Sequence, residues 1–356
     1  MATIRDVARE SGVSVSTVSF VLNDGPRPVA HETRQRVLQV MKRLNYHPSA
    51  IARGLTRRHL HTIGILSGML DKVVFVNPVA AVLLEGVYEA AADAGYNILF
   101  FTEQWIDRER SAPMFRDRRT DGVLLLSVLR TMDAVSCLVE MGTPLVVVSA
   151  DSGVPGVPSV DVDNVQGARL ATEHLIGLGH RRIAHLGGNV EHPHVVERRE
   201  SFLDTMLSAG LSVRPEYLPD GSYHRETAVE LAQRLLTLAE PPTAVFAGND
   251  TLAYSVIDVA AALGLRVPQD LSVIGFDDLP ASALTNPPLT TIRQPLREIG
   301  ATAANMLITQ IQHAVSSRRD GANGTPEGEG NPVRAMIVRP QLVLRASTAP
   351  PGSTGE

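Results

Sequence analysis

The sequence predicts an all-α helix-turn-helix headpiece joined to a two-lobed α/β domain. The first observation is a pair of capped helical patterns, separated by a glycine, near the N-terminus. The second is a long succession of short apolar runs and amphipathic helical patterns beyond residue 61, as in parallel sheets that helices cover on both faces. At 356 residues the chain is too long for one ordinary domain and long enough for both parts.

The charge is divided unevenly along the chain. Residues 1–61 contain ten lysines and arginines against four acidic residues, whereas the rest of the chain contains 23 bases and 34 acids. A basic head on an acidic body is typical of a polyanion-binding module whose partner domain does not touch the phosphates. Solvated charged faces would give the same balance, so the motif within the head has to decide.

Composition excludes several other classes of protein. The single Cys137 excludes an internal disulfide framework and a Cys-rich zinc site, and no apolar run approaches membrane-spanning length. The segment MATIRDVARESG lacks the basic start, apolar middle and cleavage site of a signal peptide. We therefore expect a cytoplasmic protein with no membrane partner, no metal and no cofactor.

The headpiece is predicted over residues 1–47. TIRDVARESG begins with a capping box, in which Thr3 accepts from the amide three residues on and Asp6 reaches back to the N-terminal amides. Gly12 provides a sharp turn, and Ser14 is a second N-cap before SVSTVSFVLN. Apolar residues at helical spacing are Ile4, Val7, Ala8, Val18, Val21 and Leu22. Two such helices that cross through a small residue form a helix-turn-helix.

The second helix of such a unit enters the major groove of DNA with its first residues. The side chains suited to base contact are Val15, Ser16 and Phe20, and those suited to phosphate contact are Thr3, Ser14, Thr17 and Ser19. Phe20 could equally face outward and pack on its own helix. A third helical pattern, HETRQRVLQVMKRLNY, closes the small domain.

TIRDVARESGVSVSTVSFVLN and RVLQVMKRLNYHPSAIARGL are similar to the lactose-repressor (LacI/GalR) family, and the resemblance continues almost to the C-terminus. It implies a homodimeric repressor that binds a pseudo-palindromic double-stranded DNA operator under the control of a small effector. Sugars and sugar derivatives are the first class of effector that it implies, and purines the second. Many members carry an arginine where this chain has Phe20. Because arginine reads guanine through two hydrogen bonds and phenylalanine contacts only a thymine methyl, we expect a different operator base there.

Residues 48–60 are predicted to form a hinge. Pro48 ends the preceding helix, Ser49 can serve as an N-cap, and the short ARGL run includes a glycine, so a helix here is marginal in isolation. In the family resembled, this segment is a hinge helix that pairs with its symmetry mate in the minor groove and inserts a leucine. Leu55 matches that leucine, and Arg53 would lie near the DNA backbone. The alternative is a plain interdomain linker.

The larger domain is predicted over residues 61–348. Strands such as TIGILS, DGVLLLS and PLVVVS belong to a first lobe, and TAVFAGND and LSVIGFDD belong to a second. A cleft between two such lobes lies at the carboxyl ends of the strands. The resemblance implies that this effector domain has the fold of periplasmic sugar-binding proteins.

The resemblance also implies which residues contact the effector. Arg198, Asn249 and Asp277 match strand-end polar positions that contact it, and Tyr223 matches an aromatic residue that stacks on it. Carboxylate and amide groups can take paired hydroxyls, and a guanidinium can grip an oxygen. Ser149 occupies a place where many sugar-responsive members have an aspartate, and this departure puts the identity of the effector in doubt.

Structural alternatives exist for several of these polar residues. Asn249 or Asp250 could cap the helix that begins TLAYSV, and Asp278 could cap a turn. His192 and His194 lack a third ligand at regular spacing, so a metal site is not expected.

The C-terminal part contains one interrupted region. Residues 316–332, rich in glycine, proline and charge, are predicted to be a surface loop before VRAMIVRPQLVLRAS supplies the final strands. The tail 349–356 has no leucine heptad, which favours a dimer over a tetramer.

Two alternatives to a regulator were weighed against these features. A solute-binding protein would have no use for residues 1–60 and would need a signal peptide. An enzyme on an α/β scaffold is not excluded by fold, but no nucleophile elbow or H-E-x-x-H pattern occurs in the sequence.

Overall fold

The computed structural model describes residues 2–23, 29–47, 59–68, 77–117, 119–219, 221–319 and 335–352. Most of the predicted hinge, with Arg53 and Leu55, lies outside these ranges. No helix within them is long and apolar enough to cross a bilayer.

In the part of the headpiece that the structure describes there are three helices, α1 (Ile4–Ser11), α2 (Val15–Asn23) and α3 (His31–Arg43). The predicted capping box is present, because Thr3 Oγ1 accepts from the Asp6 amide at 3.3 Å and Asp6 Oδ2 accepts from the Thr3 amide at 3.0 Å. Gly12 ends α1 with φ 65°, a left-handed conformation that a glycine adopts without strain. Ser14 Oγ accepts from the Thr17 amide at 3.1 Å and begins α2, as predicted.

The three helices enclose a small core of their own. The residues buried there are Val7, Ala8, Val18, Val21, Val37 and Val40. The helix-turn-helix headpiece of the predicted fold is thereby confirmed.

Within the described residues the larger domain contains eleven strands, nine α-helices and two short 3₁₀ helices, Pro215–Tyr217 and Pro280–Ala283. In chain order the strands are β1 (Thr62–Ser67), β2 (Asn97–Phe100), β3 (Gly122–Leu126), β4 (Leu145–Val148), β5 (Ser159–Val162), β6 (Ile183–Leu186), β7 (Ala244–Ala247), β8 (Ser272–Asp277), β9 (Thr290–Arg293), β10 (Ala335–Val338) and β11 (Gln341–Val343). The helices are α4 (Pro78–Asp93), α5 (Arg108–Ser111), α6 (Pro113–Arg116), α7 (Ala134–Glu140), α8 (Asn164–Gly177), α9 (Pro193–Ser208), α10 (Arg225–Leu236), α11 (Asp250–Ala262) and α12 (Leu296–Arg319).

Two sheets form the two predicted lobes. The first lobe has a six-stranded parallel sheet of order β10-β5-β4-β3-β1-β2. The second has a five-stranded sheet of order β11-β9-β8-β7-β6, parallel except for the antiparallel pair of β11 and β9. Strands β3 to β8 are buried along their whole length, which explains why β3, β4 and β7 are apolar without alternation.

The chain crosses between the lobes three times. It passes from β5 in the first sheet to α8, which packs on the second lobe, and from β9 in the second sheet to α12, which packs on α4 of the first. It crosses again between β10 and β11, which lie at the edges of different sheets. Three connections therefore constrain how one lobe can move against the other.

Helices α4 and α12 cross at two glycines. A Cβ atom at Gly86 would overlap the carbonyl oxygen of Arg297, and one at Gly300 would overlap the carbonyl oxygen of Leu83. Only glycine permits this backbone approach, and the ion pair of Arg297 with Glu89 flanks the crossing.

The segment after β11 packs against the second sheet. Ser347 is fully buried, donating to the Val273 carbonyl at 2.6 Å and accepting from the Thr290 amide at 2.8 Å. His180 Nε2 lies 2.9 Å from the Ala349 carbonyl oxygen. The predicted tail, 349–356, thus has its first residue docked on the domain.

One predicted boundary was wrong. Residues 316–319 continue helix α12 instead of beginning the predicted 316–332 loop, and Ser316 Oγ donates back to the carbonyls of Gln312 and His313. The reason is local, because the first glycine of that segment is Gly321 and nothing before it interrupts the helix.

Candidate functional site

A cavity of about 350 Å³ lies between the two lobes at the carboxyl ends of their strands. The first lobe contributes residues at the ends of β3, β4 and β5 and at the start of α4. The second contributes the start of α9, the end of β8 and the loop before α10. All five predicted effector-contacting residues line this cavity: Ser149, Arg198, Tyr223, Asn249 and Asp277.

The strand ends carry unusual backbone conformations where they meet the cavity. Ser127 (φ 52°), Ser149 (φ 58°) and Asp277 (φ 137°) follow or end β3, β4 and β8, and each has a positive φ that non-glycine residues rarely adopt. Strained residues of this kind collect where a site needs side chains in fixed positions. All three side chains line the cavity.

Arg198 is held rigidly although it is a long side chain. It is 5% exposed, its Nε donates to Asn164 Oδ1 at 2.9 Å, and its Nη1 donates to the Gly248 carbonyl at 2.7 Å. The guanidinium carbon lies 3.6 Å from the centre of the Phe276 ring, a cation–π contact. The third nitrogen, Nη2, has no acceptor among the described residues and can donate to a ligand.

Asp277 and Asp161 are buried carboxyl groups on opposite lobes of the cavity. Burial, and then the carboxylate of Asp250, raises the pKa of Asp277 to about 8. Burial also raises the pKa of Asp161 to about 7, with a further contribution from Glu197. Gln294 donates to Asp277 Oδ1, whereas Oδ2 is buried with no partner among the described residues.

An aromatic wall closes the second-lobe side. The Tyr223 hydroxyl lies 2.9 Å from His194 Nε2, and the two rings stack at 19° with centres 6.2 Å apart. A Cβ at Gly188 would lie 2.5 Å from Tyr223 Cζ, so that glycine lets the tyrosine ring pack on the backbone. Burial lowers the pKa of His194 well below its usual value, so the imidazole is neutral at pH 7.

Asn249 has the capping role that the sequence left open. Its Oδ1 accepts from the Leu252 amide at 2.8 Å and caps α11, while the residue also lines the cavity. Asp278 does not line it; its carboxylate accepts from Arg293 Nε and Arg345 Nη2, each at 2.6 Å. Asp250 is buried and accepts from the Leu279 amide at 2.9 Å.

Several cavity residues were missed by the sequence reasoning. They are Asn77, Ser127, Asp161, Asn189, His192, His194, Arg225, Thr251 and Gln294. Ser127 could have been predicted because it directly follows an apolar strand. Asn77 could have been predicted as an N-cap, because it precedes a helix that begins with a proline. Within the described ranges no group of three or more His, Cys, Asp and Glu side chains is placed to hold a metal ion.

Of the candidate DNA-contacting residues that the structure describes, Thr3 caps α1, and the others cap α2 or lie along it. Thr3, Ser14, Val15 and Ser16 are exposed, and Thr17, Ser19 and Phe20 are half-buried. Val15 is 42% exposed, a large apolar side chain without cover at the position predicted to meet a base. The hydroxyls of Ser16 and Thr17 lie 2.7 and 2.8 Å from that of Ser14, so a phosphate contact would replace these bonds. Half-burial of Phe20 fits either of its two interpretations.

Comparison with known proteins agrees with both parts of this architecture. Residues 3–49 match the family model for bacterial regulatory proteins of the lacI family, and residues 172–348 match that for periplasmic binding protein-like domains. The HTH-type transcriptional repressor PurR of Photobacterium profundum is 37% identical over 350 residues, which cover 98% of each chain. The expectation of a regulator, not an enzyme, is confirmed by these relatives.

Solved structures extend the similarity to the fold. The complex of the transcriptional regulator CelR with cellobiose is 30% identical, with a TM-score of 0.71 over 98% of this chain and 100% of the other. The lac repressor dimer bound to operator is 24% identical and superimposes with a TM-score of 0.79 over 98% and 99% of the chains. The two-lobed periplasmic-binding-protein-like fold with its helix-turn-helix headpiece is therefore confirmed.

Proposed function

This chain belongs to the lacI family of bacterial regulatory proteins, and from that membership we propose that it represses transcription as a homodimer whose operator affinity is set by a sugar or sugar derivative. Its DNA partner is a pseudo-palindromic operator, because the two-fold symmetry of a dimer matches a two-fold operator. Because a repressor binds chromosomal DNA, we place the protein in the cytoplasm.

The observation that carries the proposal is that both lobes build the cavity. A molecule that contacts Ser149 and Asp161 on one lobe and Arg198 and Asp277 on the other stabilises one separation of the lobes over others. Residues 48–60 join that domain to the headpiece, so lobe separation can set the spacing of two headpieces in a dimer. Effector binding and operator binding are then linked through one coupling free energy.

In the headpiece we assign base contact to Val15, Ser16 and Phe20, and phosphate contact to Thr3, Ser14, Thr17 and Ser19. Leu55 would act as the minor-groove wedge, with Arg53 beside it. In the cavity Asp277 and Asn249 would take hydroxyls, Arg198 Nη2 an oxygen, and Tyr223 the apolar face of a ring. Purines are the second class of candidate effector that the resemblance implies. The solved cellobiose complex of CelR supports the sugar class.

The test is selection of an operator from a random duplex pool with the full-length chain. We expect an inverted repeat whose half-sites change at one base pair in the Phe20→Arg variant, since arginine would read a guanine there. The Leu38→Ala variant, altered at a surface residue of α3 that is 47% exposed, serves as the control and should select the wild-type sequence. Recovery of no enriched sequence would contradict the proposed function.

A further inference from the structure

The point where the predicted hinge joins the larger domain is held by a carboxylate. Asp121 lies immediately before β3, and its side chain is 9% exposed. Its Oδ1 accepts from the Leu60 amide at 2.8 Å, and its Oδ2 accepts from the Thr62 amide at 3.0 Å. Leu60 is the last residue of the hinge and Thr62 is the first of β1. One carboxylate therefore holds the backbone on both sides of this boundary.

His59 lies against the same carboxylate. Its Nδ1 is 3.0 Å from Asp121 Oδ2, and its side chain is 12% exposed. This nitrogen nevertheless makes no hydrogen bond among the described residues, so its N–H does not point along the line to the oxygen. The attraction between the two groups is therefore mainly Coulombic, and it increases when the imidazole becomes a cation.

Two other rings face His59. Tyr96 Oη lies 3.2 Å from Nε2, and the centre of the His61 ring lies 4.0 Å from that of the His59 ring. Burial, and then the Asp121 carboxylate, raises the pKa of Tyr96, so its hydroxyl keeps its proton and can bond either form of the imidazole. A charge on His61 would oppose one on His59. Among the described residues, Asp121, Tyr96 and His61 are thus the titratable groups around His59, and they favour a single cation beside the carboxylate.

The position of this cluster suits it to control of the hinge. It lies at the amino ends of β1 and β3, whereas the cavity lies at the carboxyl ends of the strands. A short hinge helix is marginal in isolation, and ordering it on DNA costs backbone entropy. A hinge whose last residue is already fixed on the first lobe loses less entropy when it becomes ordered.

We propose that Asp121 and His59 form a hinge anchor, a pair of positioning residues that fix the C-terminal end of the hinge on the first lobe for operator binding, and that protonation of His59 tightens this anchor. The proposal rests on the proposed function in one respect, that residues 48–60 connect the larger domain to a headpiece that binds an operator. The wall of the cavity includes neither residue.

The first test compares the affinity of the full-length chain for the selected operator with its affinity for a random duplex of equal length. Fluorescence anisotropy gives both values at constant ionic strength. Asp121→Asn should lower the ratio of operator to random affinity about tenfold, because the amide replaces one acceptor with a donor that faces a backbone N–H. A smaller fraction of folded chain would weaken both duplexes equally, so the ratio separates positioning from stability.

The proton is tested by the same ratio at pH 6 and pH 8. In the wild-type chain we expect a ratio roughly threefold higher at pH 6, where more of His59 is charged. His59→Gln, which cannot become a cation, should remove this difference. The controls are Asp270→Asn, which alters a surface carboxylate paired with Arg266, and His313→Gln, at an exposed residue of α12. Both controls should keep the wild-type ratios.

The anchor is also measurable without an operator. Trypsin cleaves after arginine, and a cut after Arg58 requires residues 59–61 to leave the first lobe, because a protease binds residues on both sides of the bond. Cleavage of such a segment follows the population of its open state. At pH 8, Asp121→Asn should be cut after Arg58 about tenfold faster than the wild type, relative to the cut after Arg53 in the same chain. Asp270→Asn should be cut at the wild-type rate.

Separate results would overturn each part of the proposal. The anchor is wrong if Asp121→Asn keeps the wild-type affinity ratio, or if it is cut after Arg58 no faster than the wild type. The role of the proton is wrong if His59→Gln keeps the full difference between pH 6 and pH 8. If selection enriches no operator, the proposed function fails, and the trypsin comparison still decides the anchor.

Discussion

Asp277 shows how a residue placed in a ligand cavity can lower the stability of the unliganded chain. Its pKa of about 8, against 3.8 for the ordinary side chain, means that the folded state binds more protons than the unfolded state between these two values. Stability then falls as pH rises through that interval, by up to about 1.4 kcal/mol for each pH unit. Below the lower value the carboxyl group is protonated in both states, and the loss disappears.

Asp277→Asn should therefore stabilise the ligand-free chain, and more at pH 8 than at pH 5. The difference between the two pH values should be on the order of 3–4 kcal/mol in the free energy of unfolding, measured by urea denaturation. Asp270→Asn is the matched control, because Arg266 lowers the pKa of Asp270 to about 2 and the group is ionised at both pH values. An equal effect of Asp277→Asn at pH 5 and pH 8 would show that the carboxyl group does not titrate in this range.

At the scale of single residues, the sequence predicted the cavity residues at strand ends better than the buried ones that lie elsewhere. Ser149, Asn249 and Asp277 were predicted from the family resemblance, and all three line the cavity because parallel strands bring their ends to one edge. Asp161 lies within the short strand β5, where alternation of apolar residues gives no sign that the side chain meets a cavity. His194 was weighed only as a metal ligand, since its partner Tyr223 is 29 residues away along the chain.

Among the elements, the pair α4 and α12 determines how the first lobe is assembled. These helices are more than 200 residues apart in sequence and pack closely through Gly86 and Gly300. In each helix the glycine reduces intrinsic helix stability by about 1 kcal/mol relative to alanine. The close packing of the two helix backbones must therefore stabilise the fold by more than this cost.

Gly300→Ala should destabilise the chain despite its better helix propensity. Its Cβ would meet the Leu83 carbonyl oxygen, a backbone atom that cannot move aside, and overpacking of this kind costs about 1–3 kcal/mol. Gly177→Ala in α8, where nothing lies within 4 Å of the new Cβ, should have a neutral or stabilising effect. The two variants are compared by thermal unfolding, and a Gly300→Ala variant as stable as Gly177→Ala would show that the helices separate freely.

Element boundaries were predicted where capping residues mark them. Thr3, Gly12 and Ser14 placed the first two helices because each satisfies a specific backbone group. The end of α12 carries no such signal, and average composition placed the start of the loop at 316, although residues 316–319 are helical. The hinge prediction, with Leu55 and Arg53, falls outside the described residues.

At the scale of the whole molecule, the segment that follows β11 is hydrogen-bonded to the second sheet. Because the Ala349 carbonyl can only accept, His180 Nε2 carries the proton, and its Nδ1 accepts from Thr243 Oγ1 at 2.9 Å. Ser272 and Ala349 exchange hydrogen bonds at 2.9 and 3.0 Å. No sequence pattern predicted this docking, because these bonds join residues far apart along the chain.

Removal of residues 345–356 should lower the free energy of unfolding by an amount on the order of 3 kcal/mol, because it leaves the Val273 carbonyl and the Thr290 amide without their Ser347 partner and removes one of the hydrogen bonds of His180. A chain that stops after Gly352 keeps every one of these contacts and should unfold as the full chain does. The two are compared by urea denaturation. If the shorter chain is equally stable, the segment is not part of the fold.

The three crossings between the lobes also fix an order of events during synthesis. The first sheet acquires its edge strand β10 only when residues 335–338 are available, and α12, which packs against β3 and β4, arrives just before it. By then, less than a tenth of the chain remains to be translated. Until that point the N-terminal lobe has an open sheet edge and an uncovered apolar face. The headpiece, whose core lies entirely within residues 4–46, has no such dependence and can fold as soon as it emerges.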